Sequence, residues 1–232
     1  AKELSIPVIS MPHGLYIYLS TENTLGGNAR FREKEALNIA TNMNFDWVIV
    51  QNSIKEKHAI DIGIDKDTII TMGSVRYEYQ WVNKQRTIFN NKFSLNGDGK
   101  KIVIFPSKLM YKGIIESYNE IIEEICKISD LVILKPHTRH MRLHSVRSSI
   151  KRSGIKVINQ EFSSTELINW CDIGIVWGSS IGIQLVLQNK PLFYPKYAHG
   201  LETIYDKYLP ESVIGNTNQL ISGLKNTKKN PN

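Results

Sequence analysis

Two cysteines in 232 residues, with no Cys-x-x-Cys and no metal-ligand spacing around either, leave this chain without a disulfide scaffold or a thiolate metal site. Cys126 falls in a segment of helical period and Cys171 beside an apolar run, so both read as reduced, buried thiols of a cytoplasmic protein. No apolar run is long enough to cross a bilayer, and the first residues carry no signal-peptide pattern. The sequence opens without Met and almost inside a strand, which reads as a piece of a longer protein. Acidic residues are also the minority, 22 against 29 Lys and Arg, for a net charge of +7. That excess favours phosphate-rich partners or an anionic membrane surface, with the protein peripheral at its inner face. No groove-reading motif or aromatic-basic platform accompanies the charge, so nucleic acid is not among the expected partners. There is no Asp-x-Asp motif at the strand ends either, and no obligatory metal or other cofactor is implied.

What is present is a 41% hydrophobic chain, enough for a real core in one large or two modest domains. Apolar, β-branched runs occur at 7–10, 47–50, 69–72, 102–105, 131–134, 156–158, 173–176 and 192–194. Segments of helical period lie between most of them, at 29–41, 54–62, 114–127, 141–153 and 164–169. Strands alternating with helices at this spacing predict an α/β protein with parallel sheets and helices on both faces. The alternation fails between Asn83 and Lys101, where Asn90-Asn91-Lys92 and Asn96-Gly97-Asp98-Gly99-Lys100 have turn and linker chemistry. The expected division is therefore a first Rossmann-like domain over 1–83, a linker over 84–100 and a second Rossmann-like domain over 101–232. The first holds about three strands, too few for a comfortable sheet, and reads as incomplete. Residues 201–224 are expected to be helical.

Ligands of such sheets sit outside the carboxyl ends of the strands. The exits read Met11-Pro12-His13-Gly14, Gln51-Asn52-Ser53 and Gly73-Ser74-Val75-Arg76 in the first half. In the second they read Pro106-Ser107-Lys108, Lys135-Pro136-His137-Thr138-Arg139, Asn159-Gln160 and Gly178-Ser179-Ser180. The last is the most informative: an apolar run broken by small, hydroxyl-bearing residues where a helix begins, which suits a phosphate. Gln184, one turn beyond Ser180, is expected to face the same crevice. An ordinary β-α turn capped by Ser fits that segment equally well.

The ordered set His13-Gly14, Gly73-Ser74-Val75-Arg76, Pro106-Ser107, Lys135-Pro136-His137, Ser179-Ser180 and Lys190-Pro191 resembles the GT-B glycosyltransferases. It resembles in particular the teichoic-acid polymerases (CDP-glycerol glycerophosphotransferases) and related bacterial capsule transferases. The resemblance covers nearly the whole chain. It implies two Rossmann-like domains facing a cleft, and transfer of a glycosyl or glycerol-phosphate group from a CDP-, CMP- or UDP-linked donor. The acceptor would be a hydroxyl of a saccharide or lipid-linked acceptor in cell-surface polysaccharide synthesis. Three positions depart from the pattern: Gln184 where an acid is usual, Thr138 for a second Pro, and Asn189 for Gly. They bear on the nucleotide and the subfamily.

The chemistry of the residues agrees. A departing phosphate needs donors, which Ser107, Lys108, His137, Ser179 and Ser180 would supply. An acceptor hydroxyl needs a base, for which His13 is the candidate. Ser74, Arg76, Lys135, Arg139 and His199 are candidates to line the cleft. For His13 the plain alternative is a hydrogen bond within its own turn. Two further readings stay open: a UDP-sugar 2-epimerase-like isomerase, and a non-catalytic nucleotide-binding subunit.

Overall fold

Among the described residues two parallel sheets form, three strands in one and six in the other, all but the last strand from the apolar runs. The computed structural model describes residues 2–12, 15, 17, 45–89, 93–106, 115–137, 147–199 and 202–228. By contacts the chain divides into one unit of residues 1–16 and 21–78 and another of 17–20 and 79–232.

The first unit carries β1 (Ile9–Ser10), β2 (Trp47–Val50) and β3 (Ile69–Thr71), side by side in that order. Ile9 lies opposite Trp47, and Val48 opposite Ile69. Between β2 and β3 runs α1 (Ser53–Asp61), started by the Asn52 side chain, which accepts the Lys55 backbone N–H at 2.9 Å. Its Ala59 packs on Val48 and Val50, and Ile64 closes this small core.

The second unit carries β4 (Ile102–Phe105), β5 (Val132–Leu134), β6 (Lys156–Val157), β7 (Ile173–Val176), β8 (Leu192–Pro195) and β9 (Val213–Ile214). Their spatial order is β6-β5-β4-β7-β8-β9, all parallel. Counted within the unit this is 3-2-1-4-5-6, the doubly wound order of dinucleotide-binding sheets. Alternation along β4 sends Ile102 and Ile104 to one core and Val103 and Phe105 to the other. The first core is closed by Ile121 and Ile125 of α3 (Ile115–Cys126) and Leu220 and Leu224 of α9 (Thr217–Asn226), the second by Leu167 and Ile168 of α5 (Ser164–Trp170) and Leu185 of α6 (Ile181–Leu187). Each face thus buries a full layer, which is why β4, β5 and β7 are apolar at every position.

Several expectations are refined. A helix not foreseen, α2 (Tyr79–Ile88), packs on the second unit, with Val82 wholly buried and the Arg86 carbonyl accepting from Asn169 Nδ2 at 3.2 Å. The first unit ends at Glu78, five residues before the boundary read from the sequence. Within the expected linker, Phe93 is buried edge-on against Phe162 and Trp170, at 4.8 and 5.1 Å between ring centres. Residues 202–224 are not one helix, and Leu201 lies outside the described residues. After α7 (Lys196–His199) come α8 (Ile204–Tyr208), a turn at Pro210–Ser212, β9 and α9. Pro210 cannot donate to a continuing helix, so it opens that turn. Of the expected helix at 141–153 the described part is α4 (Arg147–Ser153), and the one at 29–41 lies outside the described residues.

Candidate functional site

In the second sheet β4 and β7 are neighbours, and the chain leaves them in opposite directions, towards β5 on one side and β8 on the other. A crevice opens at the carboxyl ends of two such strands, because their following helices lie on opposite faces. Pairing of Phe105 with Val176 and of Ile104 with Leu134 puts the exits of β4, β5 and β7 on one edge.

The β7 exit is a turn held by buried contacts. Trp177 is wholly buried, edge-on to Tyr118 of α3 with ring centres 5.0 Å apart. Gly178 then takes φ +51°, in the left-handed region that favours glycine. Ser179 Oγ accepts the Ile181 N–H at 3.4 Å, and the Ser179 carbonyl accepts from Tyr205 Oη at 2.6 Å. Ser180 holds the N-cap position with φ −68° and ψ −5°, and its hydroxyl does not cap α6.

At the β5 exit, Lys135 is 5% exposed, and its ammonium donates to the Asn159 carbonyl and, at 2.8 Å, to that of Phe162. Burial holds the Lys135 pKa below the usual lysine range, against the opposing pull of Glu161 and Glu166. This lysine therefore ties the β6 exit to the β5 exit. Pro136 is buried and His137 half-buried beyond it. His137 and the Gly178–Ser180 turn follow β5 and β7, the strands on either side of β4, which lie two strand spacings, about 10 Å, apart in the sheet.

Gln184 does not join them. It is 2% exposed, and its Nε2 donates to Thr165 Oγ1 at 2.9 Å and to Gln85 Oε1 at 3.3 Å. The helices α5 and α2 close over it, so its amide serves the seam between helices. Ser74 and Arg76 belong to the first unit, at the exit of β3 after Gly73. The Ser74 hydroxyl is buried without a hydrogen-bond partner, and the exposed Arg76 guanidinium stands 5.9 Å from the Tyr77 ring centre. His199 is the last residue of α7. His13, Ser107, Lys108 and Arg139 lie outside the described residues, as does the side chain of His199.

The sequence reading missed Tyr205 and the pair that steadies it, Lys196 and Asp206, bonded at 2.6 Å. No local pattern marks them, since the Tyr205 contact spans 26 residues. Among the described residues no three His, Cys, Asp or Glu side chains form a group that could hold a metal ion, and no helix is long and apolar enough to cross a membrane.

No protein-family model matches the sequence, and no curated protein matches it. In three dimensions the chain is similar to the wall teichoic acid polymerase TagF, with a TM-score of 0.58 and 18% identity over 98% of this chain and 60% of that one. A variant of that polymerase soaked with CDPG gives a TM-score of 0.59 at 17% identity, over 98% of this chain and 59% of that one. The UDP-GlcNAc 2-epimerase from Methanocaldococcus jannaschii gives 0.56 at 17% identity, over 99% of this chain and 66% of that one. The chain spans about 60% of the length of the polymerase. At these identities the likeness establishes the fold, which is GT-B-like: α/β, with two parallel sheets and a small first unit.

Proposed function

We propose that this protein is a GT-B-type transferase that takes a glycosyl or glycerol-phosphate group from a nucleotide-activated donor, CDP-, CMP- or UDP-linked, and passes it to an acceptor hydroxyl in bacterial cell-surface polysaccharide synthesis. The observation that carries the reading is the pair of exits flanking β4, His137 on one side and the Gly178–Ser180 turn on the other. Exits on either side of a shared strand suit an extended ligand such as a nucleotide diphosphate better than a single phosphate ion. The turn offers backbone N–H groups and two hydroxyls, and the imidazole offers a donor to the departing phosphate, with Ser107 and Lys108 completing the set. The acceptor enters from the side of the first unit, where His13 takes the proton of its hydroxyl as the new bond forms.

The likeness to the polymerase of wall teichoic acid supports this choice of chemistry, and the net charge of +7 suits phosphate-rich substrates or an anionic membrane surface. The likeness to the epimerase keeps one other reading in view, isomerisation at C2 of a UDP-sugar. No acidic pair and no Asp-x-Asp motif stands at the strand exits in the sequence. A single set of incubations separates the readings. The full protein is mixed with CDP-glycerol or with UDP-N-acetylglucosamine, with and without a saccharide or lipid-linked acceptor. Released nucleotide that rises with acceptor is the expected result. A C2 epimer without nucleotide release establishes the isomerase, and nucleotide binding with neither product establishes a non-catalytic subunit.

A further inference from the structure

The carbonyl of Ser179 is held by one side chain from far along the chain, the phenol of Tyr205 at 2.6 Å. That carbonyl belongs to the peptide joining Ser179 to Ser180. In a trans peptide the C=O and N–H point in opposite directions, so whatever grips the oxygen also aims the Ser180 N–H. Donation to the oxygen polarises the same amide and makes its N–H a stronger donor.

Tyr205 is firmly placed to do this. Its ring is wholly buried and tilted against Tyr194, with centres 5.3 Å apart. Its backbone N–H is accepted by Thr203 Oγ1 at 3.3 Å, in a capping box that Asp206 completes by accepting the Thr203 N–H at 2.7 Å. Asp206 is in turn ion-paired at 2.6 Å with Lys196, the first residue after β8. On the opposite side, α6 admits the phenol only because residue 182 is glycine. A Cβ there would stand 2.6 Å from Tyr205 Oη and 2.9 Å from Cζ. The β8 exit, α8 and the first turn of α6 thus converge on a single backbone oxygen.

We propose that Tyr205 is a positioning residue for the Gly178–Ser180 turn, holding the Ser179–Ser180 peptide in the orientation that receives the phosphate of a nucleotide donor. This rests on the reading of the turn as part of the donor site. The test is Tyr205→Phe in the full chain, which removes one hydroxyl from a buried ring. Calorimetric affinity for CDP and UDP, the amide shift of Ser180 and the melting temperature are read together. Thr217→Val is the control, since it removes another interior hydroxyl contact of the same unit, Tyr197 to Thr217 at 3.0 Å.

Nucleotide affinity falls about tenfold in Tyr205→Phe, the size expected for one positioned hydrogen bond. The Ser180 amide proton moves upfield, and Thr217→Val leaves both readings at their wild-type values. If the phenylalanine variant does not fold, Asp206→Asn loosens α8 from Lys196 and lowers affinity about threefold. A folded Tyr205→Phe variant that binds nucleotide like the wild type overturns the positioning role and leaves the donor site standing. Wild-type protein that binds neither CDP nor UDP overturns the donor site, and the positioning role with it.

Discussion

β2 reads Trp47-Val48-Ile49-Val50 and β4 reads Ile102-Val103-Ile104-Phe105, two apolar strands of equal length with different surroundings. Every residue of β4 is buried. In β2 only Val48 and Val50 are, while Trp47 is 42% exposed, and Ile9 opposite it and Ile70 opposite Ile49 are exposed too. The cause is topological. In the second sheet the strand order reverses between β4 and β7, so crossover helices fall on both faces. The first sheet runs β1-β2-β3 without a reversal, and its one described crossover, α1, covers the Val48 face alone. A reversal also creates the crevice at the strand ends. The fully covered sheet and the candidate donor site therefore have one origin, and both belong to the second unit.

The largest expected effect separates the chemical duties of the two units. His13→Ala should lower turnover roughly 10²–10⁴-fold with donor affinity nearly unchanged, the signature of a lost general base. Replacing Ser179 and Ser180 together by Ala should instead weaken nucleotide binding by about one to two orders of magnitude. Steady-state kinetics and calorimetry on both variants check this. An unchanged turnover in the first, or unchanged binding in the second, moves that duty to other residues.

Next in size is the cost of an identical truncation in the two sheets. Ile104→Ala removes a wholly buried side chain and should cost about 2–5 kcal/mol. Ile49→Ala, on the half-covered strand, should cost about 1 kcal/mol or less. Urea unfolding followed by tryptophan fluorescence gives both values. Equal losses would mean that the outer face of β2 is covered in solution as fully as β4 is.

Most strands were legible in the sequence because their apolar runs are continuous, and the parallel pairing follows from strands alternating with helices. α2 was hidden because Val82 is its one wholly buried side chain and its docking is made by amides and a carbonyl. β9, two residues long, has no run to read. Gly178, Ser179 and Ser180 form the turn after β7, a placement their residue types signalled. The direction of a side chain was not signalled: Gln184 lies one turn from Ser180, yet α5 and α2 claim its amide, and Lys135 spends its charge on two carbonyls of the neighbouring loop. Such directions are decided by which helix packs alongside, which spacing along one element does not encode.

Both cysteines belong to the second unit, so thiol titration reports on that unit alone. Burial pushes the Cys171 thiol up to about 12. An unfolded thiol ionises near 8.5, so between the two values the unfolded chain loses a proton that the folded one keeps. Stability is whole below that range and falls as pH rises through it, by about 1.4 kcal/mol per pH unit from this group. Cys171→Ala should remove that share of the slope, seen as a shallower loss of urea midpoint between pH 9 and 11. Parallel slopes for the two proteins would mean that Cys171 already meets solvent in the folded state.

The smallest effect tests how the turn-rich stretch before β4 is fixed within the second unit. Lys100 Nζ donates to the carbonyls of Leu224 and Lys225, at 2.6 and 2.7 Å, in the last turn of α9. The final carbonyls of a helix lack partners within it and carry the negative end of its dipole, so an ammonium there both bonds and balances charge. Ser129 Oγ donates to the Lys100 carbonyl at 2.6 Å, and Phe93 is buried a few residues earlier, so the turn-rich stretch before β4 is stapled to the second unit at both ends. Lys100→Met keeps the aliphatic stem and removes the charge, and should cost about 1 kcal/mol because water can replace part of what is lost at this partly exposed position. A loss of several kcal/mol would show instead that α9 depends on this clamp for docking. No loss at all would show that water alone serves the carbonyls, leaving Phe93 as the staple that holds the segment to the better-covered sheet.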